Sequence, residues 1–142
     1  MAANQGRKDF TAVAERYARE AVKQGNEGRF CKWVRLACQR HLDDLERART
    51  DAGYPFRFDQ WHVDDVCGFV EKLPHVEGIW PEPTIRLEPW QVFILASVFG
   101  WRRKSDGLRR FGTAYVEVAR KNGKSCLTSA VALYCLTCED EV

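Results

Sequence analysis

With 45% hydrophobic and 12% aromatic residues, a chain of 142 can build the packed core of one ordinary domain or of part of a larger one. Its 22 basic and 20 acidic side chains nearly cancel to +2, so it lacks the overall basic excess usual in nucleic-acid binders, although local clusters at Arg102-Arg103-Lys104 and Arg109-Arg110 survive the averaging. No run approaches the roughly 20 apolar residues of a membrane span, and Met1 to Lys8 lacks a signal peptide's apolar centre, which predicts a cytosolic chain, neither secreted nor membrane-bound.

Taken in order, Phe10 to Gln24 predicts an Ala-rich amphipathic helix, capped by Asp9 or Thr11 and stopped at Gly25. Gln24 to Gly28 is a turn. A longer helix follows from Arg29 to Arg49, with Val34, Cys38, Leu42 and Leu45 as its apolar stripe. A third helix is expected from Asp59 to Leu73, burying Val63, Val66, Phe69, Val70 and Leu73. Pro74 to Glu88, rich in Pro and Gly, reads as a connecting loop.

Pro89 then opens a fourth helix, where a missing N–H costs nothing. Trp90 to Phe99 is nearly all apolar, which predicts burial on most sides, and Gly100 ends the element. After a basic stretch and a Ser105-Asp106-Gly107 turn, a strand is expected over Thr113 to Val118, then a loop over Arg120 to Gly123, then a helix from Lys124 to Cys138. Glu139-Asp140-Glu141 reads as a solvated charge run at the helix end.

The six cysteines of a cytosolic chain should be mostly reduced. Cys38 and His41 lie one helical turn apart, as do Cys135 and Cys138, a set with the elements of a Cys3His zinc site. The apolar helical surroundings of most of these cysteines favour the plainer reading, in which a free thiol acts as a small hydrophobe.

The chemistry sits in Arg120-Lys121-Asn122-Gly123-Lys124-Ser125. A triphosphate loop needs converging backbone N–H groups at a helix N-terminus, a Lys for the β- and γ-phosphates, and a hydroxyl for Mg²⁺. Gly123, Lys124 and Ser125 meet those needs, although the pattern G-x-x-x-x-G-K-[ST] asks for Gly where Val118 stands. An ordinary turn between strand and helix is the competing reading of Asn122-Gly123. Upstream, the Gln91 amide has the donor and acceptor to read an adenine edge. Trp90 or Phe93 could pack on the base, or simply pack in the core.

The ordered set Leu87-Glu88-Pro89-Trp90-Gln91-x-Phe93, Gly100-Trp101, Gly107 to Phe111 and Val116 to Ser125, with Cys38-x-Arg40-His41-Leu42-x-Asp44-Leu45 upstream, resembles the large subunit of tailed-phage terminases. These are ATPases that drive viral DNA into procapsids. The resemblance implies an α/β P-loop NTPase fold preceded by several helices, with residues 1–86 as a helical N-terminal region and 87–142 as the start of the ATPase domain. It implies ATP and Mg²⁺ as cofactors, held by Trp90, Gln91, Lys121, Asn122, Gly123, Lys124 and Ser125, with Ser125 on the metal and Arg120 sensing the γ-phosphate. Loops of this family commonly lack the first Gly, so Val118 fits.

Implied partners are double-stranded DNA through the full-length motor, the terminase small subunit, the portal, and further copies in a ring, all in the bacterial host's cytoplasm. The family's later Asp-Glu strand and nuclease domain have no counterpart within these residues, so a truncated sheet and little or no ATP hydrolysis by this chain alone are expected. A small helical interaction module without nucleotide binding is the alternative. The basic cluster Arg102, Arg103, Lys104, Arg109 and Arg110 reads either as a DNA phosphate contact, as a contact to a neighbouring subunit, or as a solvated hairpin.

Overall fold

The structure is a computed structural model that describes residues 8–76 and 78–139. Five helices and one two-stranded antiparallel sheet follow in the order α1 (Phe10–Val22), α2 (Lys32–Thr50), β1 (Phe56–Phe58), α3 (Gln60–Val70), α4 (Pro89–Gly100), β2 (Trp101–Arg103) and α5 (Lys124–Thr137).

Local chemistry sets the helix starts. The Asp9 carboxylate accepts from the Ala12 N–H at 2.9 Å, and the Asp59 carboxylate accepts from the Trp61 N–H at 3.1 Å, each satisfying a donor that the helix itself leaves open. At α4 the box is reciprocal: Glu88 receives a backbone N–H from the first turn, while Gln91 Oε1 accepts from the Glu88 N–H at 2.8 Å. Gly25 turns the chain out of α1 with φ +89.

Helix α4 is the centre of the molecule. Its Val92, Leu95, Ala96 and Phe99 are buried against Val63, Val66 and Val70 of α3, Ala14 of α1, and Leu127, Ala130 and Tyr134 of α5. Core side chains therefore come from both sides of residue 87. A second cluster joins Ala18 and Ala21 of α1 to Phe30, Cys38 and Phe93. Only small residues on α1 allow it to approach so closely. Burial pushes the Cys38 thiol up to about 12, so it sits there as a neutral apolar group. All six cysteines are free. Among the described residues no group of three or more His, Cys, Asp or Glu is arranged to hold a metal ion.

Three expectations are corrected. Thr113 to Val118 forms no strand: among the described residues its backbone joins no ladder, and Thr113, Ala114, Tyr115 and Glu117 are exposed. A strand without a neighbour has no acceptors for its N–H groups, and propensity alone does not supply them. The sheet that does form lies elsewhere, pairing Phe56 with Arg103, Arg57 with Arg102 and Phe58 with Trp101. Second, Glu139 is not a solvated charge; its side chain is 8% exposed and faces Arg102 at 3.2 Å and Arg109 at 3.5 Å. Asp140 and Glu141 lie outside the described residues.

Third, the basic cluster is not a solvated hairpin, because most of its side chains are ion-paired within the chain. Arg102 and Arg109 pair with Glu139, Arg103 with Asp106 at 2.9 Å, and Arg110 with Asp44 at 2.6 Å. Lys104 alone of the five is fully exposed without an ion pair among the described residues. Charges already neutralised at these distances have little left to offer a phosphate backbone.

Candidate functional site

The loop before α5 is built by its own side chains and by two left-handed residues. Asn122 Nδ2 donates to the carbonyls of Ala119 at 3.1 Å and Arg120 at 3.4 Å, which curls the segment. Lys121 has φ +65 and Gly123 has φ +72. Gly123 adopts this region at no steric cost, whereas Lys121 does so at a cost of about 1 kcal/mol. Two residues with reversed handedness around Asn122 let the chain turn sharply into the helix.

Helix α5 starts at Lys124, with Gly123 as its cap. The first intrahelical bond runs from the Leu127 N–H to the Gly123 carbonyl at 2.9 Å. The N–H groups of Lys124, Ser125 and Cys126 therefore have no acceptor within the helix, and they sit at its positive end. Residues 119–126 are all exposed. Among the described residues none of Arg120, Lys121 and Lys124 is ion-paired, so the exposed segment carries three cationic side chains without internal neutralisation. The arrangement suits a polyvalent anion.

The far end of α5 is tied down. Tyr134 donates to Asp65 Oδ2 at 2.8 Å, and its ring meets Phe69 and Phe99 edge-on at 5.4 Å each. Burial first, and the Asp65 hydrogen bond next, push the Tyr134 phenol above its ordinary range. Glu139 is held by the two arginines just described, and Arg102 also touches His62 Nδ1 at 3.0 Å. Burial and the neighbouring guanidinium hold His62 below its usual value, so its lone pair faces the cation. The helix is thus fixed at its carboxy-terminal end and open at its amino-terminal one.

Gln91 comes to the loop from the start of α4. A Cβ built on Gly123 would lie 3.5 Å from Gln91 Nε2, so two residues separated by 32 positions meet at the head of α5. Gln91 is 9% exposed. Its Oε1 is engaged by the Glu88 N–H at 2.8 Å, and Nε2 has no hydrogen-bond partner among the described residues. The sequence reading missed the role of Glu88, although Glu88-x-x-Gln91 has capping-box spacing.

Trp90 and Phe93 divide. Phe93 is buried, its ring 5.5 Å from those of Tyr17 and His41, and is unavailable to a base. Trp90 is half-buried and lines an open groove of about 610 Å³ with Tyr17, Arg16, Arg29 and Glu88. No residue of the 120–125 loop lines that groove. The loop itself is exposed, so the groove beside Trp90 and the anion-suited loop are separate features of this surface.

Residues 89–141 match the family model of the terminase large subunit, ATPase domain, which bears out the resemblance read from Pro89-Trp90-Gln91 and Arg120 to Ser125. No curated protein and no solved structure matches the chain. No helix among the described residues is long and apolar enough to cross a membrane.

Proposed function

We propose, proceeding from the similarity of residues 89–141 to the terminase large subunit ATPase domain, that this chain binds Mg·ATP as the front part of a P-loop ATPase of a viral DNA-packaging motor. The observation that carries this reading is the left-handed turn at Lys121 and Gly123 into α5, which leaves the N–H groups of Lys124, Ser125 and Cys126 without helix acceptors in a segment of exposed cationic side chains. Lys124 would contact the β- and γ-phosphates, Ser125 the Mg²⁺ ion, and Lys121, Asn122 and Gly123 the phosphate chain through the loop. Arg120 is free to reach a γ-phosphate with its forked guanidinium, or one bound by a neighbouring copy.

The unpaired segment 113–118 and the exposed Leu133 and Leu136 of α5 support a P-loop sheet that is completed by further strands. In that setting the segment pairs, α5 covers the sheet, and hydrolysis becomes possible. Double-stranded DNA, the terminase small subunit, the portal and a ring of copies are the partners this reading carries with it, in the cytoplasm of a bacterial host.

Titration calorimetry of the chain with Mg²⁺ and a non-hydrolysable ATP analogue tests the proposal. Binding that is lost in Lys124→Ala, with unchanged melting, is the expected result. No binding by the chain, nor by a version extended with further strands, would leave only the helical interaction module.

A further inference from the structure

We infer that the corner where α1 turns into α2 is a docking surface for the phosphate backbone of double-stranded DNA. The choice of a duplex rests on the packaging reading above; the surface itself rests on charge and geometry. The near-neutral chain is uneven. Residues 15–40 carry seven basic side chains against three acidic ones, while the remaining residues carry fifteen against seventeen. A basic surplus gathered in one region is the electrostatic footprint of a polyanion site, and an average over the whole chain hides it.

The surplus survives folding. Glu15 faces Arg19 at 2.5 Å and Glu27 faces Arg35 at 3.2 Å. Glu20 is shared by Lys23 at 3.3 Å and Arg29 at 3.6 Å, so one carboxylate serves two cations. Arg16, Lys32 and Arg40 have no ion pair among the described residues, and all three are exposed. Glu88 also lines the groove beside Arg16, but its carboxylate is engaged in the α4 capping box. The cluster from Arg102 to Arg110 differs, because four of its five cations face a carboxylate within 3.5 Å.

At the α1–α2 corner aromatic rings stand where carboxylates would. The Lys32 ammonium lies over Trp33 at 5.3 Å, the Arg29 guanidinium over Phe30 at 5.3 Å, and the Arg40 guanidinium over Phe111 at 4.8 Å. A ring face steadies a cation without cancelling its charge, so the side chain loses less freedom when a phosphate arrives. Two open grooves adjoin at Phe30: Arg16 and Arg29 line one, Lys32 and Arg35 the other. Arg40 stands further along α2, about 12 Å from Lys32 in axial rise. The cations therefore spread over a broad surface, which suits a backbone of repeated charges better than one small anion. A single strand would need successive open rings on which to stack its bases. Of these three rings only Trp33 is exposed, and Lys32 covers one of its faces.

Fluorescence anisotropy of a labelled duplex of about 25 base pairs, titrated with the full chain between about 50 and 200 mM salt, tests the assignment. About three phosphate contacts give a log–log salt slope of roughly −3. The triple variant Arg16→Gln/Lys32→Gln/Arg40→Gln should stay folded, lose at least about tenfold in affinity at the lower salt, and flatten that slope. Lys72→Gln/Arg86→Gln/Lys104→Gln removes the same charge from exposed positions elsewhere and should cost less than about threefold. Equal losses in the two variants overturn the inference, and so does full affinity in the first. A single strand of the same length that binds tighter than the duplex overturns it too, as does polyglutamate of equal charge that displaces the duplex, the mark of an acidic protein partner. Absence of duplex binding beside intact ATP-analogue binding removes this inference alone. Duplex binding that the first variant loses, in a chain that binds no ATP analogue, supports the surface and removes only the nucleotide-binding reading.

Discussion

Arg110 Nη1 donates to Asp44 Oδ2 at 2.6 Å across 66 positions of sequence, joining the segment after β2 to the middle of α2. The Tyr54 hydroxyl closes the triangle, donating to Asp44 Oδ1 at 2.6 Å and accepting from Arg110 at 2.9 Å. The guanidinium lies over Phe56 at 4.3 Å and Phe111 at 4.8 Å, so these rings shield much of it from water. Asp44 and Arg110 side chains are 6% and 17% exposed.

A buried pair of this kind costs most when halved. Asp44→Ala leaves a shielded guanidinium without its counter-charge and should destabilise the chain by about 3–5 kcal/mol. Tyr54→Phe removes one hydrogen bond from the same network and should cost about 1 kcal/mol. Urea denaturation of both variants checks the order; an Asp44→Ala loss no larger than that of Tyr54→Phe would show the pair to be dispensable.

Gly100 joins α4 directly to β2, and its missing side chain is the condition for that junction. A Cβ there would stand 2.6 Å from Phe58 Cε2 and 2.7 Å from Val63 Cγ2, both core side chains packed from the β1 side and from α3. Gly100→Ala should therefore cost about 1–3 kcal/mol through overpacking. Gly68, inside α3, has nothing within 4 Å of its Cβ position, and Gly68→Ala should instead stabilise by about 0.5–1 kcal/mol. Thermal melts of the two variants should move in opposite directions, and a shared direction contradicts the contrast.

The helices were legible because their signals are local: Asp9 and Asp59 as caps, Pro89 at a first turn, and apolar spacing at Val63, Val66 and Val70 all act within a few residues. The loop was legible for the same reason. The hairpin was not, because strands of three residues carry too little alternation, and Trp101-Arg102-Arg103 looked like a charged connector. Arg102 and Glu139 lie 37 positions apart, and neither announces that it will neutralise the other. The burial of His41 and Asp44 on α2 was not legible, because each is buried beside a partner, Trp101 or Arg110, about sixty residues away. The strand expected at 113–118 failed in the reverse sense: its residues favour a sheet, and no neighbour among the described residues provides one.

His41 makes stability depend on pH. Its Nδ1 accepts from Trp101 Nε1 at 3.0 Å, which requires the neutral ring, and Phe58 and Phe93 enclose it edge-on. Burial lowers its pKa from 6.5 to about 4, against a smaller opposing pull from Asp44 and Glu15. Between those values the unfolded chain binds the proton and the folded one does not, so stability falls as pH falls through this window. The shift corresponds to about 3 kcal/mol when fully expressed, of which about 2 kcal/mol should be lost between pH 7 and pH 5. Denaturation midpoints at the two pH values measure it. His41→Gln, less stable at pH 7, should show a visibly flatter profile; an unchanged slope would move the acid sensitivity to the other imidazole held below its usual value, His62.

Ser125 and Lys124 should separate metal from phosphate binding. Ser125 occupies the second position of α5, one residue beyond the lysine, and its hydroxyl has no part in the helix's own hydrogen bonding among the described residues. If it ligates Mg²⁺, Ser125→Ala should remove most of the Mg²⁺-dependent gain in ATP-analogue affinity and leave metal-free binding nearly unchanged. Lys124→Ala should weaken binding with and without the metal, by at least about tenfold, because it removes a charge-assisted contact to the phosphates. The remaining cations, Arg120 and Lys121, are exposed and unpaired among the described residues, so the residual affinity of either variant should fall as salt rises from about 50 to 200 mM. Calorimetry in chelator and in Mg²⁺, at two salt concentrations, gives all the comparisons. Equal Mg²⁺ dependence in Ser125→Ala and the unaltered chain would move the metal to another residue while leaving the phosphate assignment standing.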